Sequence, residues 1–275
     1  MSENKQTQER SMATAFASDS KKKLDSIYQI MQEEVPLPSG GALYPSGAAF
    51  VTIKPITAKE EDILTNPTLV KSGKAFDMIV DRCIINWNGL THSQLLAGDK
   101  SAIYAAIRIL SYGSAYKVQI QCPSCSEKTN TSIDLRTLNQ KSLGIAPEVE
   151  GENRFKFITP IGHEIMFRLL TVSDLNDISN LNKKKKKNIS DIESILLASF
   201  ISLKANNIMI TDKLELKNII ARMPHDEYTA FLMYVNKIKP DIDMTSDVEC
   251  EHCSEIASVN IPITVEFFWP AASKK

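Results

Sequence analysis

Two short stretches decide how this chain is read: residues 118–133, VQIQCPSCSEKTNTSI, and residues 248–261, VECEHCSEIASVNI. Each carries a Cys-x-x-Cys pair, Cys122 with Cys125 and Cys250 with Cys253, between strand-like segments. Val118–Ile120 and Thr129–Ile133 flank the first pair; Val248 and Ala257–Ile261 flank the second. A Cys-x-x-Cys turn on a hairpin aims both sulfurs at one place. Two such turns facing each other make a tetrahedral four-thiolate site, which suits zinc or, less often, iron. The expectation is one structural zinc per chain. Four thiolates close the shell and leave no position for water or substrate, so the metal is not expected to be catalytic. A thioredoxin-like redox pair is disfavoured, because neither motif opens a helix after a strand. Free or mutually bridged cysteines are the remaining alternative. His252, inside the second turn, reads as an exposed turn residue, and Cys83, beside Val80 and Ile84, as a small buried hydrophobe.

The two pairs are far apart in the chain. The 124 residues between Cys125 and Cys250 greatly exceed the spacing of a compact zinc ribbon. An internal duplication accounts for this, each copy supplying one turn. Thr57-Ala-Lys-Glu60 has the form of a capping box, and Thr171-Val-Ser-Asp174 is a weaker version 114 residues later. Leu95-Leu96 and Tyr104 match Ile219-Ile220 and Tyr228 at an offset of 124, and the cysteine pairs match at 128. Such a drift is what insertions in the second copy produce. The run Lys183–Lys187 is one candidate insertion and reads as a solvated loop.

The coarse elements follow the same order in both halves. Ala49–Ile53 reads as a strand, and helices are predicted over Ala58–Leu64, Lys74–Asn86 and Asp99–Leu110. Later come a strand at Glu164–Leu169 and helices at Ile189–Ser202 and Asp226–Asn236. The fold class is α+β: two strand–helices–hairpin repeats, residues 35–145 and 146–275, joined by a shared four-cysteine, zinc-ribbon-like site. Residues 1–34 read as a mobile arm. Within it Leu24, Ile27, Tyr28 and Met31 recur at helical spacing on one face.

Composition sets outer limits. The chain has 275 residues, 43% hydrophobic and 24% charged, which excludes wholesale disorder. Lys and Arg number 32 against 33 Asp and Glu, a formal net charge of −1. That argues against a general nucleic-acid or anionic-membrane binder, since both draw on surplus positive charge. No apolar run reaches the length of a membrane span, and the first twenty residues lack a signal-peptide core. The expected setting is a cytoplasm, where cysteines serve as thiols or metal ligands. Catalytic patterns are missing. Ser72-Gly73-Lys74 lacks the upstream glycine of a phosphate-binding loop, and there is no HExxH or G-x-S-x-G. The four histidines have no matched nucleophile or base. No enzymatic activity is expected.

Several segments together resemble a known family. They are Leu37-Pro-Ser-Gly-Gly-Ala-Leu-Tyr-Pro45, Ile53-Lys-Pro-Ile-Thr-Ala-Lys-Glu-Glu-Asp-Ile-Leu64 and Ser111-Tyr-Gly113 ahead of Cys122-Pro-Ser-Cys125, then Cys250-Glu-His-Cys253 and Val265-Glu-Phe-Phe-Trp-Pro270. The resemblance is to the T4-type phage baseplate hub proteins and spans roughly residues 35–270. It implies a binding or scaffolding role, as a hub subunit or hub assembly factor of a contractile tail. Partners would be other hub or tail proteins, or a second copy. The location would be the virion tail baseplate, or the host cytoplasm during assembly. A zinc-ribbon nucleic-acid or transcription-related module is the alternative. It is weakened because no Lys or Arg occurs from Asp241 to Glu266.

The C-terminal aromatics complete the expectations. Read as a strand, Val265–Pro270 puts Val265, Phe267 and Trp269 on one face and Phe268 on the other. Phe267 and Trp269 would then hold the core. Phe268 and Pro270, with Leu24, Ile27 and Met31 of the arm, would contact partners.

Overall fold

The computed structural model describes residues 31–185 and 191–269. Leu24, Ile27 and Pro270 lie outside them; Met31 lies inside and is exposed. Strand β1 (Glu33–Pro36) pairs antiparallel with β2 (Phe50–Ile53). The connection between them is rich in Pro and Gly, so it forms no regular element, yet it carries Leu37, Leu43 and Tyr44 into the core. Helix α1 (Ala58–Leu64) starts where the capping box predicts. The Glu60 carboxylate accepts from the Thr57 N–H at 2.9 Å and from the Thr57 hydroxyl at 2.5 Å. Asn66-Pro67 then ends one helix and begins the next. The Asn66 side chain accepts from the N–H groups of Thr68 and Leu69, and Pro67 takes the first position of α2 (Pro67–Ser72).

Helix α3 (Lys74–Cys83) buries Ala75, Ile79, Val80 and Cys83. It stops short of the predicted Asn86, because Ile84–Asn86 forms β3 and pairs with β2. The long α4 (Ala97–Tyr112) follows, then the hairpin of β4 (Ala115–Gln121) and β5 (Lys128–Asp134), and a short β6 (Gln140–Lys141).

The remainder begins with β7 (Phe155–Ile158) and β8 (Glu164–Phe167). Helix α5 (Val172–Lys185) is capped by Thr171 and Asp174. The Asp174 carboxylate accepts from both the Thr171 N–H and its hydroxyl at 2.8 Å. This helix reaches Lys185, so the first three lysines of the run are helical rather than loop. Next come α6 (Asp191–Ser199), β9 (Phe200–Ala205) and β10 (Ile208–Ile210). The helix predicted over Ile189–Ser202 is present over Asp191–Ser199, its first two positions lie outside the described residues, and its last three, Phe200–Ser202, belong to β9 instead. That end opens an inner strand of a sheet ordered β10-β9-β8-β7, and Phe200–Leu203, buried or half-buried on both faces, has no period to distinguish it from a buried helix. Helix α7 (Lys213–Ile220), not anticipated, is capped by the Asp212 carboxylate. After α8 (His225–Ile238) and β11 (Asp241–Ile242) come the second hairpin, β12 (Thr245–Glu249) with β13 (Ile256–Asn260), and a single helical turn, α9 (Val265–Phe268).

One hydrophobic core runs through both parts. Phe155, Phe167, Phe200 and Phe231 are all buried, and Phe231 lies edge-on to Phe167 and Phe200, each at 5.0 Å. Each such ring contributes roughly 1.5–3 kcal/mol by leaving water. The parts are also tied through the backbone. Val172 N–H donates to the Leu95 carbonyl at 2.8 Å, and β6 pairs with β11. Among the described residues no helix is long and apolar enough to cross a membrane.

Candidate metal centre

The two predicted hairpins meet at their turns. Residues Cys122, Cys125, Cys250 and Cys253 bring their sulfurs within 4.8 Å of one another. The Sγ atoms of Cys122 and Cys253 are 3.6 Å apart, and those of Cys125 and Cys250 are 3.7 Å apart. A tetrahedron with metal–sulfur bonds of about 2.3 Å has edges of about 3.8 Å, so this donor set fits one ion held by four thiolates. Cys122 and Cys250 are buried, Cys125 is half-buried and Cys253 exposed.

Both turns are built alike. Cys122 N–H donates to the Glu127 carbonyl at 2.9 Å, and Cys250 N–H to the Glu255 carbonyl at 2.8 Å. Ser126 N–H returns to the Cys122 carbonyl at 3.0 Å, and Ser254 N–H to that of Cys250 at 2.9 Å. Ser126 and Ser254 adopt left-handed backbone, φ 61° and 59°. That conformation costs a non-glycine residue energy, and here it lets the chain fold back beneath both sulfurs. The Cys-Ser-Glu that ends each motif is the sequence signal for this shared geometry, beyond the cysteine spacing itself.

Polar support surrounds Cys250. The Thr129 hydroxyl lies 3.5 Å from its sulfur and the His252 N–H donates to it at 3.4 Å. These two contacts, Thr129 first, hold the Cys250 thiol below its ordinary value and favour the thiolate a metal requires. Thr129 is 1% exposed and arrives from the other hairpin, a role that spacing alone could not reveal. His252 is exposed, as expected of a turn residue. Cys83 lies apart, fully buried, its thiol pushed up to about 12 by burial. The arrangement offers a closed thiolate shell.

The aromatic terminus departs from its predicted form. Val265–Phe268 is a helical turn, so residues do not alternate between faces. Phe268 is fully buried, its ring 5.2 Å from that of Tyr104 and 5.8 Å from that of Phe76. Phe267 is also fully buried, 5.7 Å from Tyr116. Phe268 is thus a core residue and not a direct partner contact, whereas Trp269 is only partly buried.

Charge around the centre is one-sided. Asp247, Glu249, Glu251 and Glu255 all lie exposed on the second hairpin. Fold and site together define an α+β protein whose two hairpins, remote in sequence, converge on one cluster of four cysteines. The chain belongs to the family of T4 bacteriophage base plate proteins, whose model matches residues 32–269. No curated protein and no solved structure matches it.

Proposed function

We propose that this chain is a non-enzymatic hub or hub-assembly component of a contractile-tail baseplate, binding other tail proteins, with one structural zinc on Cys122, Cys125, Cys250 and Cys253. Membership of the baseplate family over residues 32–269 carries the tail assignment. The geometry of the four sulfurs supports the zinc. A closed shell and the lack of a recognisable catalytic set agree with a structural part. Bound there, the ion would clasp the ends of two hairpins that otherwise meet through few contacts.

Residues 35–145 and 146–275 read as two copies of one ancestral unit. Supporting this, β2 and β8 each carry a register shift, at Thr52/Ile53 and Met166/Phe167, 114 residues apart. Immediately after, Lys54 N–H donates to the Cys83 carbonyl and Arg168 N–H to that of Ser199. Their side chains pair with Glu60 at 3.0 Å and with Asp174 at 2.5 Å, again 114 apart. Helices α4 and α8 begin 128 residues apart, the offset of the cysteine pairs. The Tyr104–Tyr228 match, at 124, would then sit about one helical turn out of register.

A nucleic-acid role is disfavoured by the acidic second hairpin, which would face a phosphate backbone with like charge. Mass spectrometry of purified virions tests the main reading. Presence in the tail makes the chain a baseplate component; restriction to infected-cell lysate, bound to hub proteins, makes it an assembly factor. Absence from both rejects the reading. Elemental analysis of freshly purified protein tests the zinc separately.

A further inference from the structure

The four-stranded sheet ends on β10, and no other described strand pairs with its outer edge. Asn206 and Asn207 form the turn before it, both at positive φ, 48° and 64°. That is the two-residue turn whose twist suits a hairpin, and asparagine tolerates it. In such a hairpin the residues flanking the turn, Ala205 and Ile208, exchange the inner hydrogen bonds, as do Leu203 and Ile210. The N–H and C=O of Met209 therefore point away from β9.

Edge strands are normally guarded by lysine, proline or a bulge. The opposite edge, β7, follows that rule: it carries Lys156, paired with Glu164 at 2.7 Å, and is followed by Pro160. Strand β10 has none of these. Ile208 and Met209 are 64% and 55% exposed, and Leu214, just beyond, is 68% exposed. Lys204, across from Met209 on β9, is exposed, but the charges that follow β10 in the chain are engaged elsewhere. Lys213 Nζ donates to the carbonyls of Leu197 and Phe200 at 3.0 and 2.6 Å. The Asp212 carboxylate caps α7.

We propose that β10 is a self-pairing edge. A second copy of this chain adds its own β10 antiparallel, about a two-fold axis through Met209, and joins two four-stranded sheets into one of eight. The occupant follows from the edge itself. Every pairing in this sheet is antiparallel. A two-fold axis sets Met209 against its own copy, so its outward donor and acceptor satisfy each other. Strand β10 itself bears no charged side chain, and the chain's net charge of −1 gives copies little reason to repel. Three residues of ladder and three exposed aliphatic side chains make a small contact, so the dimer should form and dissociate with concentration.

Sedimentation velocity on the full chain over a concentration series is the test. The expected result is a shift from the 30.6 kDa chain mass toward twice that value. Met209→Lys should abolish the shift while leaving the thermal melt unchanged. Met209→Pro, which removes only an outward N–H, should do the same. Should either variant lose its cooperative melt, Leu214→Glu, on the exposed side of α7, should still weaken the dimer. A wild-type chain that stays monomeric throughout overturns the proposal, as does a folded Met209→Lys that dimerises like wild type. Protection of the Met209 amide only after another tail protein is added would show a different occupant, and self-pairing would be rejected.

Discussion

Gly98, in the first turn of α4, lies directly against Pro240: a Cβ built on it would stand 2.0 Å from the Pro240 carbonyl oxygen and 2.7 Å from the Asp241 Cα. Backbone meets backbone there, where the long helix of the first part touches β11 of the second. Next to it Asp99 is fully buried, accepting from the Ser39 N–H at 2.9 Å and from the Tyr44 hydroxyl, which anchors the start of the helix.

Gly98→Ala should therefore destabilise the protein by about 3 kcal/mol or more, at the upper end of overpacking effects. Helix propensity alone would favour alanine by roughly 1 kcal/mol, so a loss isolates the clash. Urea denaturation of the two proteins reads the difference; equal midpoints would mean that the contact is not as close as described.

Replacing one ligand, as in Cys253→Ser, should abolish stoichiometric metal binding. The remainder of the core is independent of the hairpin tips, so far-ultraviolet helicity should persist while the tips become protease-sensitive. Metal content and limited proteolysis of wild type, variant and chelated protein measure this. Global unfolding on chelation would contradict it.

Phe268→Ala should cost about 3–5 kcal/mol, because the ring is fully buried between Phe76, Tyr104 and Phe267. Trp269→Ala should cost less, since Trp269 remains partly exposed. Thermal or urea melts of both variants give the order, which is the reverse of what strand alternation predicts.

His92 links stability to pH. Its Nδ1 lies 2.7 Å from Asp81 and its Nε2 3.5 Å from Asp77, which also pairs with Lys100. Burial works against the imidazolium, but the carboxylates of Asp77 and Asp81, the second hydrogen-bonded to Nδ1, outweigh it and raise the His92 value. A raised histidine contributes fully below its unfolded value of about 6.5, and the contribution is lost as pH rises through the folded value. Asp77 is displaced the opposite way: burial opposes its charge, but His92 and Lys100 hold its carboxyl well below the usual range. Its contribution is present above about pH 4 and lost only as pH falls through the folded value. Between about pH 6 and pH 9, wild type should thus lose more stability than His92→Asn. Parallel slopes would remove His92 from the account.

The hairpins and their cysteines were legible because alternation, β-branched residues and paired thiols agree over a few residues. The capping boxes were legible for the same local reason. Phe200–Ala205 was not, since Phe200–Leu203, buried or half-buried on both faces, carries no period of its own. Val265–Phe268 is too short to show any period, and adjacent Phe267 and Phe268 both reach the core from one helical turn. Thr129 and Gly98 owe their roles to partners more than 100 residues away, at Cys250 and Pro240. Nothing local in the sequence announces either.

The four sulfurs also set an order in time. In a compact ribbon all ligands emerge together, and an ion can organise the chain as it is made. Here Cys122 and Cys125 must wait for Cys250 and Cys253, which follow more than 120 residues later. During synthesis at roughly 5–20 residues per second, the first turn stays a bare dithiol for several seconds or more. Any ion shared by the four is thus a mark of completion: a chain broken off before Cys253 cannot acquire it, however well its first part has folded.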